Sequence, residues 1–280
     1  MVQLSSSTAA LRPFLKWAGG KRQLVPELLK YVPTDYGRYY EPFIGGGALL
    51  LTLQPIQASI SDRNSELINC YQAVKYSVED LIKNLRQHHN EATYFYEVRG
   101  WDRQAEFASK TSVQRAARII FLYKTCYNGL FRVNSKGQFN APFGRYKNPT
   151  IADETVLRNV SAYLNQANVG ICQADFAATV AEAGHNDFVY FDPPYDPVST
   201  TASFTAYDSS RFDRGEQQRL KAVVDELSAK NCKVLLSNAY TDFIQELYGD
   251  YRCVRVSATR AINSKATKRG KVDEILVMNY

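Results

Sequence analysis

The chain has 280 residues, 45% of them apolar, with 34 basic and 28 acidic residues for a net charge of +6, which suits one large globular domain or a domain with a sizeable insertion. No apolar run approaches the ~20 residues needed to span a bilayer, and residues 1–10 lack the hydrophobic segment of a secretory signal. Three histidines, and five cysteines without a C-x-x-C pair, offer neither a metal site nor a disulfide framework, so a cytoplasmic, monomeric protein with free thiols is expected.

Residues 21–31 read as a helix closed by Pro33, and 38–44 as a strand running into Gly45-Gly46-Gly47. Helical composition over 48–53 stops at Pro55, and a second short strand over 58–61 ends at Asp62. Strand, glycine turn, helix, strand is the opening of a doubly wound, mostly parallel α/β fold. The pattern then changes. From 65 to 152 there are no convincing strands, and helix formers mix with Arg, Lys and aromatics. This segment reads as a mainly helical insertion in a discontinuous domain of 1–64 and 153–280. A helix over 156–166, a strand over 169–172 ending near Asp175, and a strand over 187–191 resume the fold. An amphipathic helix over 217–230 precedes a strand at 233–237, and 274–278 closes the sheet.

Charge is unevenly spread. Residues 101–150 hold nine Lys or Arg against two acidic residues, and 251–280 hold seven against two, so the remainder is net acidic. Two basic segments on an acidic body are the footprint of a polyanion-binding surface; two solvated faces fit the same counts. His88 and His89, after a helical segment, are expected to be exposed.

The most specific signal is Asp192-Pro193-Pro194-Tyr195, directly after the apolar run Phe188-Val189-Tyr190-Phe191. Such a run is how a strand buried on both faces reads, which puts the tetrapeptide at the strand's carboxyl edge, where open α/β sheets bind ligands. A carboxylate, a prolyl carbonyl and an aromatic face meet there in one stiff loop, suited to a planar base carrying an amino group. Gly45 and Gly47 let backbone approach a ligand closely, although three glycines also fit a plain tight turn. Asp62, at the end of the next strand, is placed to grip a ribose hydroxyl pair; capping the helix from Asn64 is its other reading. No second dinucleotide half follows, which favours a nucleoside-bearing ligand other than NAD. Lys21 starts a helix, where the macrodipole disfavours a cation, so an anionic neighbour is expected. From Tyr127-Asn128-Gly129-Leu130-Phe131-Arg132 through Asn134 to Asn140-Ala141-Pro142-Phe143-Gly144-Arg145-Tyr146-Lys147, cations and asparagines alternate with aromatics and glycines. That mixture fits a surface that binds phosphates, reads base edges and wedges an aromatic between bases.

Taken with Phe14-Leu15-Lys16-Trp17-Ala18-Gly19-Gly20-Lys21 and Glu41-Pro42-Phe43-Ile44-Gly45-Gly46-Gly47, these motifs follow the order found in Dam-type DNA adenine-N6 methyltransferases, which the chain resembles from about Phe14 onward. The resemblance implies S-adenosylmethionine as methyl donor and duplex DNA as substrate, on an S-adenosylmethionine-dependent methyltransferase fold. It implies cofactor contacts from Trp17, Lys21, Asp62 and Asp192, with Phe43, Gly45 and Gly47 beside them and Asp175 and Phe176 at the cofactor's adenine. Asp192, Pro193, Pro194 and Tyr195 become the catalytic motif that receives a flipped adenine. The inserted segment corresponds to the family's target-recognition domain. Lys16 and Arg132 match guanine-reading positions for 5′-GATC, Tyr127 an intercalating aromatic, and Leu130 and Pro142 positions near the central bases. Asn128, Asn134, Arg145 and Lys147 complete the expected DNA surface. Methylation of RNA adenine or of a protein amide, or a nucleic-acid-binding module without catalysis, are the competing readings; the basic insertion favours duplex DNA, and an intact cofactor cleft favours an enzyme.

Overall fold

The protein is described by a computed structural model covering residues 11–15, 17, 21–130, 132–197, 212–259 and 271–280. Lys16, the polar stretch over 199–210, whose place directly after the tetrapeptide reads as a loop to close over the base, and residues 260–270 of the second basic segment lie outside the described residues.

Seven strands form one sheet: β1 (Tyr39–Glu41), β2 (Gln57–Asp62), β3 (Asn168–Gln173), β4 (Phe188–Phe191), β5 (Lys233–Ala239), β6 (Arg252–Thr259) and β7 (Lys271–Met278). Their order is β3-β2-β1-β4-β5-β7-β6, with β7 antiparallel to both neighbours and the other pairings parallel. The chain order reverses between β1 and β4, the crevice where such sheets bind ligands. This is a doubly wound, mostly parallel sheet, as the sequence led us to expect.

Ten α-helices complete the described structure: α1 (Val25–Leu28), α2 (Ala48–Leu53), α3 (Ser65–Tyr76), α4 (Val78–Leu85), α5 (Ala92–Gly100), α6 (Ser112–Thr125), α7 (Glu154–Gln166), α8 (Phe176–Thr179), α9 (Arg214–Ala229) and α10 (Asp242–Leu247). β4 shows why both sheet faces need cover. Phe188 and Tyr190 enter the apolar cluster lined by α3, α6 and α7, whereas Val189 and Phe191 enter the one lined by α9 and α10, as the two-residue period of a strand requires. Starts of helices are fixed by side-chain caps: Asn64 accepts from Leu67 N for α3, Asp153 from Val156 N for α7, and Thr111 forms a capping box with Gln114 for α6.

Several boundaries differ from the sequence reading. The helix expected over 21–31 is a 3₁₀ turn, Lys21–Gln23, followed by α1; Pro26 has no amide to donate and sits in the first turn of the short helix. β1 ends at Glu41, before Pro42, rather than running to 44. β6, within the second basic segment, is an edge strand whose exposed Arg252 and Arg255 mask a pattern in which Val256 is the one buried position over 252–257. The 65–152 segment is mainly helical over 65–129, as expected, and its remainder to 152 carries no helix among the described residues, with isolated bridges Cys126↔Phe143 and Val133↔Phe139. Its first helix, α3, also packs on β3 and α7, and its buried side chains join the cluster under the sheet. His88 is not exposed. It is half-buried and stacks on Phe121 with ring centroids 4.6 Å apart, and burial lowers its pKa to about 4.

Candidate active site

The carboxyl ends of β4 and β5 and the amino-terminal half of the antiparallel β7 bring the tetrapeptide together with partners from distant sequence. Phe191 lies beside Leu236 in the parallel β4–β5 ladder, so Asp192, one residue on, meets Ser237, whose Oγ donates to Asp192 Oδ1 over 3.0 Å. Lys21 Nζ stands 2.7 Å from the same oxygen. Lys21 thus finds the anionic neighbour its position at a helix start demanded. Burial raises the Asp192 pKa, and the Lys21 charge and hydrogen bond oppose that rise.

The prolines divide their roles. Pro194 carbonyl accepts from Gln217 Nε2 over 2.9 Å, and Asn238 Nδ2 donates to Gln217 Oε1 while Asn238 Oδ1 accepts from Asp196 N. Gln217 and Asn238 are both buried, so this network fixes the loop's path. Pro193 carbonyl has no hydrogen-bond partner among the described residues. Tyr195 is held on two sides. Its hydroxyl donates to Glu274 Oε2 over 2.7 Å, and the Lys21 ammonium lies 4.3 Å from its ring centroid.

Beyond β1 the chain turns through glycines at φ +46° (Gly45) and φ +66° (Gly47), a region that favours glycine. At Gly47 a side chain would come within 2.6 Å of Tyr71 Oη. Asp62 Oδ2 accepts from Gly45 N over 3.3 Å and Oδ1 from Asn64 N over 3.0 Å, so Asp62 ties the glycine turn to the start of α3, whose cap is Asn64. Trp17 stacks on Tyr123 with centroids 5.3 Å apart and covers Gly45. Behind the turn, Glu41 is buried, accepting from Tyr39 Oη over 2.8 Å and Leu50 N over 3.2 Å; burial pushes its pKa up to about 8.

Asp175 caps α8 by accepting from Ala177 N, and Arg219 grips both its oxygens over 2.9 and 2.7 Å. The guanidinium hydrogen bonds hold that carboxyl below the usual range. Arg219 also lies 3.9 Å over the Phe176 ring, whose centroid is 5.4 Å from that of Phe43. Phe212 packs edge-on against Phe43 at 5.6 Å. Phe43, Asp175 and Phe176 therefore form one aromatic and charged wall.

The second set of expected residues lies on one looped hairpin after α6. Tyr127 N donates to Pro142 carbonyl, Asn140 N to Arg132 carbonyl, and Asn134 N to Gln138 carbonyl. Asn134 Oδ1 accepts from the amides of Lys136 and Gln138, so this side chain shapes the tip. Arg132 is oriented by Asn140, with Nε 2.7 Å from Oδ1 and Nη2 3.0 Å from the carbonyl. Tyr127, Arg132, Pro142, Arg145 and Lys147 are exposed, Leu130 and Asn128 partly so. Asn128 and Arg145 adopt positive φ, 55° and 53°. Not all of the basic excess faces outward. Arg118 is 2% exposed, paired with Asp102 at 2.8 Å; Arg103 donates to Asp102 and to Phe139 carbonyl; Arg115 pairs with Glu66. Asp102 Oδ2 in turn accepts from Phe139 N, which pins the hairpin to the helices.

Among the described residues no helix is long and apolar enough to cross a membrane, and no group of three or more His, Cys, Asp or Glu is arranged to hold a metal ion. Ser237, Gln217, Asn238, Arg219 and Glu274 went unnoticed in the sequence. Ser237 and Asn238 end a strand neighbouring the tetrapeptide, a position readable once strand order is known. Glu274 carries no local signal.

Residues 17–262 match the family described as D12 class N6 adenine-specific DNA methyltransferase. The chain is 45% identical over 279 residues to the Type II methyltransferase M1.LlaDCHI of Lactococcus lactis subsp. cremoris, covering 99% of this chain and 98% of that protein. It is 41% identical over 290 residues to the Type II methyltransferase M.MjaIII of Methanocaldococcus jannaschii, covering 96% and 99%. With the DNA adenine methylase of Escherichia coli K12 it shares 34% identity over 267 residues, covering 95% of each.

Proposed function

We propose that this chain, which belongs to the D12 class N6 adenine-specific DNA methyltransferases, methylates the adenine of 5′-GATC in duplex DNA with S-adenosylmethionine as methyl donor. The carrying observation is the convergence at the β4 edge of a half-buried carboxylate, a prolyl carbonyl with no hydrogen-bond partner among the described residues and an aromatic face beside a glycine turn. S-adenosylmethionine, when bound, supplies an electrophilic sulfonium methyl group. The residues present fit it. The positive-φ turn at Gly45 and Gly47 carries bare backbone past the end of β1, Asp62 stands at the end of β2, and the Phe43–Phe176 wall with Asp175 suits a flat, amino-bearing ring. Trp17, Lys21, Phe43, Gly45, Gly47, Asp62, Asp175, Phe176 and Asp192 are the residues proposed to hold it.

Adenine N6 is a poor nucleophile because its lone pair is delocalised into the ring, and it is out of reach while stacked. Extruding the base costs a few kcal/mol, which contacts in the pocket offset. Tyr195 offers a face for the ring. The Asp192 carboxylate and Pro193 carbonyl accept the two N6 hydrogens, which draws the nitrogen toward a tetrahedral arrangement with a usable lone pair. Asp192 then stabilises the positive charge that develops on nitrogen. Engaged by Gln217, Pro194 keeps the loop in register for both acceptors.

Residues 65–152 serve in this reading as the target-recognition segment. Arg132, pre-oriented by Asn140, is suited to a guanine edge; Lys16 shares that role. Tyr127, 48% exposed at the hairpin root, is the wedge between bases, with Leu130 and Pro142 near the central pairs. Asn128, Arg145 and Lys147 contact phosphate, and Asn134 holds the tip. The direct test is Asp192→Ala. A folded variant that retained near-wild-type methyl transfer to DNA would overturn the acceptor role.

A further inference from the structure

Two prolines stiffen the backbone before Tyr195 but leave its own side-chain torsions free, so the plane of the ring must be set by something the ring touches. The hydroxyl donates to Glu274 Oε2 over 2.7 Å. Glu274 sits in β7, paired with Ala239 of β5 on one side and Val256 of β6 on the other, and is 6% exposed. A carboxylate buried in the middle of an antiparallel ladder is costly, and an apolar residue there would be more favourable for the sheet alone. Among the described residues Glu274 has no cationic partner; its side-chain hydrogen bond goes to Tyr195. Hydrogen bonds to an ionised acceptor are the strong ones, and a central strand is the most rigid mount available.

We infer that Glu274 is a positioning residue for methyl transfer, holding the Tyr195 ring in the plane against which the target base stacks. The inference rests on the proposed stacking role of Tyr195. Its test compares Glu274→Ala, Glu274→Gln, Tyr195→Phe, the Glu274→Ala/Tyr195→Phe double variant and Tyr195→Ala. The readouts are kcat, KM for DNA, and the emission of 2-aminopurine placed at the target adenine, which stacking quenches. Glu274→Ala and Tyr195→Phe are each expected to lower kcat about tenfold, with KM within about twofold and brighter 2-aminopurine in the complex. The double variant is expected to be no slower than either single one, because both remove the same bond. Glu274→Gln, which still accepts, is expected to recover most of the rate. Losses that multiply in the double variant, or an unchanged kcat and emission in Tyr195→Phe, would overturn the role of Glu274. If Glu274→Ala does not fold, Tyr195→Phe and Glu274→Gln still decide it. A fully active Tyr195→Ala would instead remove the stacking role itself, whereas a slow Tyr195→Ala with a fast Tyr195→Phe removes the role of Glu274 alone.

Discussion

The Lys21 ammonium touches both groups proposed to receive the base, 2.7 Å from Asp192 Oδ1 and 4.3 Å from the Tyr195 ring centroid. A cation thus donates to the carboxylate, and lies over the aromatic ring, that an adenine amine and its ring are proposed to use.

This pairing sets the acid side of the pH profile. Burial raises the Asp192 pKa above its ordinary 3.8 and Lys21 works against the rise. Acceptance of N6 hydrogens needs the ionised form, so kcat/KM is expected to climb with pH through the Asp192 pKa. Lys21→Met removes the charge that favours ionisation and is expected to move that limb to higher pH, as read from pH–rate profiles on a GATC duplex. An unmoved limb in the folded variant would contradict the pairing.

Glu41 makes the opposite demand on stability. Its pKa rises from 4.5 in the unfolded chain to about 8 in the fold, with burial as the main cause. The folded state therefore holds a proton that the unfolded state has lost throughout that window. Stability from this group is present below pH 4.5 and falls by about 1.4 kcal/mol per pH unit until about pH 8. Glu41→Gln keeps an acceptor for Tyr39 and Leu50 without titrating. The stability difference between variant and wild type, from urea unfolding, is expected to grow in the variant's favour between pH 5.5 and 7.5.

Asp102 serves Arg118, Arg103 and the Phe139 amide together. In Asp102→Ala the 2%-exposed Arg118 guanidinium is left buried without a carboxylate, a change that costs about 3–5 kcal/mol. A lowered melting temperature is expected, together with weakened DNA binding by the loosened hairpin. Melting within a degree of wild type would show that the network contributes little.

Among the described residues Arg132 is held by Asn140 and by no acidic partner. Arg132→Ala is expected to lose about 1–3 kcal/mol of discrimination at a guanine of GATC, with a smaller loss on random DNA. Competition binding at fixed salt measures both, and equal losses would make Arg132 a phosphate contact.

Much of this site was legible because its signals are local. The apolar run of β4 fixed where Asp192 would emerge, and Gly45 and Gly47 do adopt the conformations that favour glycine. Lys21 was expected to face an anion, and Asp192 is that anion. Ser237 and Glu274 depend on strand order and on an antiparallel pairing that no short stretch of sequence encodes. Charge counting failed in one respect for a related reason: Arg103, Arg115 and Arg118 look like surface cations in one dimension, yet Asp102 and Glu66 engage them within the helical layer.

The most direct measurement is methyl incorporation from labelled S-adenosylmethionine into a duplex with one GATC, beside the same duplex already carrying N6-methyladenine at that site on both strands. Incorporation into the first and none into the second is expected, with the label recovered as N6-methyladenine. Equal incorporation into both would contradict adenine-N6 methylation at GATC.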